Sequence, residues 1–127
     1  MNHQEMKDII DRYIHAYNSF DIHGMLSFMH RDIIFRNISQ GQVNLSAKGS
    51  DEVRQVAEQA AGLFKSRFQR VENCRFDENT VSVDIDYEDI LAGDIPDGPR
   101  AGERLKLRGK SVVSFRDGLI SSLVDYS

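Results

Sequence analysis

The 127-residue chain has no tryptophan, one cysteine and two prolines. A lone Cys74 forms no intrachain disulfide and, with no second cysteine near it, no zinc cluster, so it reads as buried filler. No apolar run approaches the ~20 residues that span a bilayer, and the polar start MNHQEMKD has neither the charged nor the apolar region of a signal peptide. A cytoplasmic protein with no membrane partner is expected. The net charge of -4 is spread over sequence of mixed sign. There is no basic block and no stripe of aromatics and arginines, so nucleic acid is not an expected partner. Repeats and low-complexity segments are missing too. His15, His23 and His30 lack the spacing of a metal triad, and no metal or other cofactor is expected.

What is present is 40% hydrophobic and 28% charged. A chain of this size buries roughly 70% of its unfolded surface, which fits one domain over residues 1–127 around one core. The stretch from Arg12 to Asn37, RYIHAYNSFDIHGMLSFMHRDIIFRN, organises the rest. Met6, Ile9, Ile10, Tyr13, Ile14 and Tyr17 follow the three-and-four spacing of a helix face, predicting a helix over about 3–18. Asp21 then caps a second helix with Ile22, Met25, Leu26, Phe28 and Met29 as its apolar positions. DIIFRNI has the branched and aromatic content of a strand, with Ile33, Phe35 and Asn37 on one face. The polar stretch 39–49 reads as a surface loop. A third helix follows Ser50, with Asp51 and Glu52 in its first turn and Lys65 and Arg67 in its last. Its stripe is Val53, Val56, Ala57, Ala60, Leu63 and Phe64.

The second half is strand-like. A strand over about Phe68–Phe76 meets a turn at Asp77-Glu78-Asn79. Val81, Val83, Ile85 and Tyr87 then alternate with Ser82, Asp84, Asp86 and Glu88, giving one buried and one wet face. The same parity puts Asp89 on the apolar face, the first charge to appear there. Residues 92–102, AGDIPDGPRAG, hold both prolines and form a long hairpin loop. Leu105, Leu107, Gly109, Ser111, Val113 and Phe115 make the next inward row, against Lys106, Arg108 and Lys110. Asp84, Asp86 and Glu88 read as a solvated sheet face, and opposite those three cations on a paired strand cross-strand ion pairs are the alternative. Asp117-Gly118 is a two-residue hairpin signal. In the last strand the pattern does not decide between the row Leu119, Ser121, Leu123, Asp125 and the row Ile120, Ser122, Val124, Tyr126.

The order α, α, β, α and then four antiparallel strands, with the RYIHAYNSFDIHGMLSFMHRDIIF opening and the SFRDGLISSLVDYS ending, resembles the nuclear transport factor 2-like superfamily. That group includes SnoaL-like polyketide cyclases, ketosteroid isomerase and limonene epoxide hydrolase. The resemblance covers nearly the whole chain. It implies a cone-shaped α+β barrel, three N-terminal helices packed on a curved, mixed and mostly antiparallel sheet. It also implies an apolar cavity for a small apolar molecule and a homodimer formed through the sheet.

The resemblance also suggests site residues. Tyr13 matches the oxyanion tyrosine of ketosteroid isomerase, but Asn37 and Ser111 stand where that family keeps its base and its protonated aspartate. An amide cannot take a proton from carbon near neutral pH. Limonene epoxide hydrolase is matched by Asn37, by Asp125 in LVDY and by Asp89 in YEDI, although Tyr87 replaces its arginine and Phe35 its water-holding tyrosine. The candidate catalytic set is therefore Asp89, Asp125, Asn37 and Tyr13, in a pocket walled by Tyr17, Phe35, Phe64, Ile85, Tyr87, Ser111 and Val113. Each also has a plainer reading: Tyr13 as a core tyrosine, Asp125 as a solvated charge near the chain end, Asp89 as the point where its strand leaves the core. Three functions stay open. They are a cofactor-independent hydrolase, cyclase or isomerase, a binding protein without chemistry, and a protein-association module of the same fold.

Overall fold

The computed structural model describes residues 1–127. Helix α1 (His3–Asn18) starts at a capping box, in which the Asn2 side chain accepts from the Glu5 N–H and Glu5 Oε1 accepts from the Asn2 N–H. Its stripe buries Met6, Ile10, Tyr13 and Ile14. Phe20, at φ 57°, turns the chain sharply, and Asp21 caps α2 (Ile22–Ser27) by accepting from Gly24 N–H at 2.9 Å. Helix α2 is shorter than its apolar residues suggest, because Met29 already belongs to strand β1 (Met29–Ser39).

Residues 39–49 are not a loop. Strand β2 (Gln42–Lys48) pairs antiparallel with β1 through a tight turn whose central residues, Gln40 and Gly41, both have positive φ. Being an edge strand it buries only Ala47, so no alternation marks it in the sequence. Helix α3 (Gly49–Ala61) ends before the last two members of its predicted stripe, Leu63 and Phe64. Gly62 closes it, Leu63 is 57% exposed, and β3 (Phe64–Asp77) takes up Lys65 and Arg67, which the sequence places in a helical last turn.

Strands β4 (Thr80–Leu91), β5 (Arg104–Arg116) and β6 (Leu119–Tyr126) complete a six-stranded sheet of order β2-β1-β6-β5-β4-β3. Every pair is antiparallel except β1 with β6. The sheet stays open at β2 and β3, and the helices cover its concave face, α1 against β3 and α3 against β1 and β2. Met6, Ile33, Val81 and Val83 are fully enclosed between these layers. Leu107, expected to point inward, lines the pocket but stays 57% exposed.

The ambiguity in the last strand has a structural cause. Phe115 pairs with Ile120 and Ser114 with Ser122, so Ser121 is an extra, bulged residue. The bulge switches parity within the strand. Ile120 faces the core from one row, and Leu123 and Asp125 face inward from the other. On the wet face Arg108 pairs with Asp86 at 3.4 Å, and Arg70 shares that carboxylate. Asp84 and Glu88 are taken by Arg75 and Arg104 in place of Lys110 and Lys106. No helix is long and apolar enough to cross a membrane.

Candidate functional site

Between the helices and the concave side of the sheet lies a pocket of about 370 Å³. Tyr13 and Tyr17 enter it from α1 and Met25 from α2, while Val53, Val56, Ala57 and Ala60 line it from α3. The sheet supplies Phe35 and Asn37 from β1, Phe64, Arg67 and Gln69 from β3, Tyr87 and Asp89 from β4, and Asp125 from β6. Its walls are mainly apolar, with a small number of polar groups facing in, the usual composition of a small-molecule site. Of the residues expected to wall it, Tyr17, Phe35, Phe64 and Tyr87 do. Ile85, Ser111 and Val113 lie below, around a recess of about 10 Å³ that Tyr13 and Asp125 also border.

Three of the polar residues are brought together by register. Asn37 on β1 lies opposite Asp125 on β6, which lies opposite Ser111 on β5. The Ser111 hydroxyl donates to Asp125 Oδ1 at 2.6 Å. Asn37 donates from Nδ2 to Oδ1 of Asn44, the bulged residue of β2, at 2.9 Å. Burial pushes the Asp125 carboxyl up to about 6, and the Ser111 hydrogen bond acts against that rise. The residue keeps some exposure, while its carboxyl end is enclosed.

Three phenols surround that carboxyl. Burial raises Tyr13 well above the usual tyrosine range, and the Asp125 charge adds to the effect. Tyr87 is raised by burial first and by Asp125 second, with Ser111 opposing. Tyr17 is raised by burial, opposed by the Arg67 charge and by Gln69. All three are therefore hydroxyl donors at neutral pH. Tyr87 lies across Gly109, where an added Cβ would stand 3.0 Å from Tyr87 Cε2 and 2.9 Å from the Tyr126 carbonyl oxygen. Only a glycine lets the ring settle there.

Asp89 stands apart. Its carboxyl is raised by burial, opposed by the Phe68 N–H, which donates to Oδ1 at 3.3 Å, and by the Arg67 charge. Asp125 lies opposite Ser111, and Ser111 opposite Val83. Asp89 is six residues further along β4, about 20 Å of strand path, which the curl of the sheet shortens through space. Both carboxylates raise Tyr17 and Tyr87. The pocket holds both aspartates, set apart by that register.

The polar residues of the wall that the expected set lacks are Arg67 and Gln69 of β3, buried at 3% and 6% exposed, and the exposed Arg108 and Ser127 at its rim. The signal was present but inverted. After Gly62 the chain alternates Arg67, Gln69 and Val71 against Phe68 and Arg70, and here the polar members face inward while Phe68 is 52% exposed. The edge of β3 at this point is closed by a side chain: Asn18 donates to the Gln69 carbonyl at 3.1 Å and accepts from the Gln69 N–H at 2.8 Å. An asparagine at the end of α1 thus takes the place of a neighbouring strand.

Several solved structures share this architecture. A candidate polyketide cyclase of Xanthomonas campestris aligns with a TM-score of 0.79 at 19% identity, covering 100% of this chain and 93% of that one. A protein of Catenulispora acidiphila with a ketosteroid isomerase-like fold, in complex with trimethylamine, gives 0.77 at 11% identity over 94% and 84%. A limonene epoxide hydrolase-like epoxide hydrolase of Mycobacterium tuberculosis gives 0.75 at 16% over 97% and 82%. At such identities the likeness is one of fold, the cone-shaped α+β fold of the nuclear transport factor 2-like superfamily. No curated protein matches the chain at a significant level. The family described as SnoaL-like domain matches residues 10–123, from α1 into the last strand, and the chain belongs to that family.

Proposed function

We propose that the pocket binds a small apolar molecule bearing a carbonyl group, and that Asp125 moves a proton on it without a cofactor, chemistry of the isomerase or cyclase type. One observation carries this reading: Asp125 is set into the wall of the apolar pocket, oriented by the Ser111 hydroxyl at 2.6 Å, where burial pushes its carboxyl up to about 6. A carboxylate raised to that value is ionised at neutral pH and basic enough to take a proton from a carbon next to a carbonyl. As the C–H bond breaks, its electron pair moves onto the carbonyl oxygen and the proton rests on Asp125. A phenol O–H from Tyr13 or Tyr87, kept protonated by burial, then stabilises the oxyanion. In a β,γ-unsaturated carbonyl compound, return of the proton from Asp125 to the γ-carbon of the dienolate completes an isomerisation; in a cyclisation the enolate carbon attacks a second carbonyl of the same molecule, and the alkoxide so formed takes the proton back from Asp125. Epoxide opening by paired carboxylates is less well supported, because six residues of strand register separate the position of Asp89 on β4 from the one that leads to Asp125.

Binding without turnover is the second reading, favoured by the Asn37 amide being engaged by Asn44. For the assembled protein we propose a cytoplasmic homodimer through the outer face of the sheet, where Ile34, Val112 and Val124 are only half-buried. Light scattering at micromolar concentration tests the dimer.

The ligand reading is tested by thermal shift with a panel of small apolar ketones, epoxides and steroids, since a ligand selective for the folded state raises its stability. The expected hit is a ketone whose shift shrinks in Asn37→Leu and persists in Asp125→Asn, with turnover lost in the latter. No shift with any compound, on protein that remains folded, rejects the reading.

A further inference from the structure

Arg67 is buried, positively charged and incompletely partnered. Only 3% of it is exposed, yet it makes no ion pair; the arginines that do are Arg31, Arg54, Arg70, Arg75, Arg104, Arg108 and Arg116. Its Nε–H donates to the Tyr17 carbonyl at 2.8 Å, and Nη2 reaches only the Met25 sulfur, at 3.8 Å. A guanidinium carries five N–H donors, and a thioether is a weak acceptor. The flat face is covered, with the Tyr17 ring centroid at 3.8 Å and that of Phe20 at 4.6 Å, which offsets part of the cost of burying the charge. The edge is left free. No enclosed polar side-chain atom in the protein lacks a partner, so Nη1, which has none, reaches open space, and the space that Arg67 borders is the pocket. Asp89 lies directly opposite on β4, but its Oδ1 takes the Phe68 N–H and it forms no ion pair with the guanidinium.

We propose that Arg67 is the anchor for an anionic oxygen on the ligand: the pocket selects planar, apolar monoacids, bound as carboxylate or enolate against the free edge of the guanidinium. The stacking fixes the guanidinium plane, and a planar fork held in one orientation matches two oxygens of a carboxylate, or one oxygen of an ionised enol, better than a mobile ammonium does. The walls of Val53, Val56, Phe35 and Phe64 take the apolar body. Arg67 and Asp89 lie at one end of the sheet register and Asp125 at the other, so an anchored anion leaves the far end of the ligand toward the proton-transferring group.

This inference rests on the reading of the pocket as a ligand site, and the test separates the two. Naphthalene and biphenyl carboxylates are compared with their neutral carboxamides by calorimetric titration, on the parent, on Arg67→Met and on Arg67→Lys. The parent is expected to prefer acid over amide by about tenfold or more, the gain of a charge-assisted, bidentate contact. Arg67→Met is expected to bring the two within about twofold, and Arg67→Lys to fall between, keeping charge without the fork. Equal binding of acid and amide by the parent overturns the anion anchor and leaves the pocket reading standing. Binding of neither by the parent overturns both. An acid preference that survives in folded Arg67→Met also overturns it. The parent comparison decides alone if that variant does not fold.

Discussion

The hydroxyl of Ser111 donates to the carboxylate of Asp125 across 2.6 Å, from the position directly opposite it on the neighbouring strand. This contact holds the carboxyl lower than burial alone would set it. Ser111→Ala removes the donor, leaves desolvation unopposed, and is expected to raise the Asp125 titration above about 6. Carboxyl carbon NMR titration reads this directly. The acid limb of any turnover moves the same way, toward higher pH. A midpoint in the variant equal to or below that of the parent contradicts the assignment.

The same carboxyl sets a stability dependence on pH. Its folded value of about 6 lies above the ordinary 3.8, so the folded state holds the proton more tightly than the unfolded one. The associated stability is fully present below about pH 3.8 and is lost as pH rises through about 6. Asp125→Asn carries no such penalty. Its advantage over the parent in urea unfolding is expected to grow by about 2 kcal/mol between pH 4.5 and 7.5, with the effect of Asp89 common to both proteins. An advantage that does not change with pH contradicts this account. The exchange of stability against an enclosed charge is common where a group is kept for chemistry.

Asn18 closes the open edge of β3 with two hydrogen bonds to Gln69. Asn18→Ala leaves a part-buried N–H and carbonyl without partners and is expected to cost about 2–3 kcal/mol. Because Arg67 and Gln69 sit on that segment, hydrogen exchange of the Gln69 amide is expected to rise well before global unfolding. Leu63→Ala, one residue after the cap of α3 and exposed, is expected to stay within about 0.5 kcal/mol of the parent.

Where period and burial agree, the fold is plain in the residues. The stripe of α1 and the alternation of β4 each face one apolar layer, so their patterns are nearly pure. Strand β2 leaves no mark in the sequence because an edge strand with one buried residue has nothing to alternate. The end of α3 is hidden in the sequence because Leu63 and Phe64 continue its apolar stripe beyond Gly62 although the backbone turns extended at Phe64. In β6 a single bulged residue, Ser121, mixes the two rows, and bulges depend on a partner strand that no local window contains. The site divides along the same line. Asn37 is visible as a polar residue on an apolar face, and Asp125 and Tyr13 through the family resemblance, whereas the distance of Asp89 from Asp125 is a matter of register between strands. Arg67 was hidden because an inward-facing arginine inverts the expected pattern.

The most direct test of proton transfer by Asp125 is deuterium exchange. A ketone that binds the parent is incubated in deuterated buffer, and loss of its α-protons is followed by NMR with the parent and with Asp125→Asn. The account predicts exchange well above the buffer rate with the parent, falling off below about pH 6, and none above buffer with the variant although the ketone still binds. Exchange at the buffer rate with a ketone bound to the parent, or equal acceleration by Asp125→Asn, contradicts it.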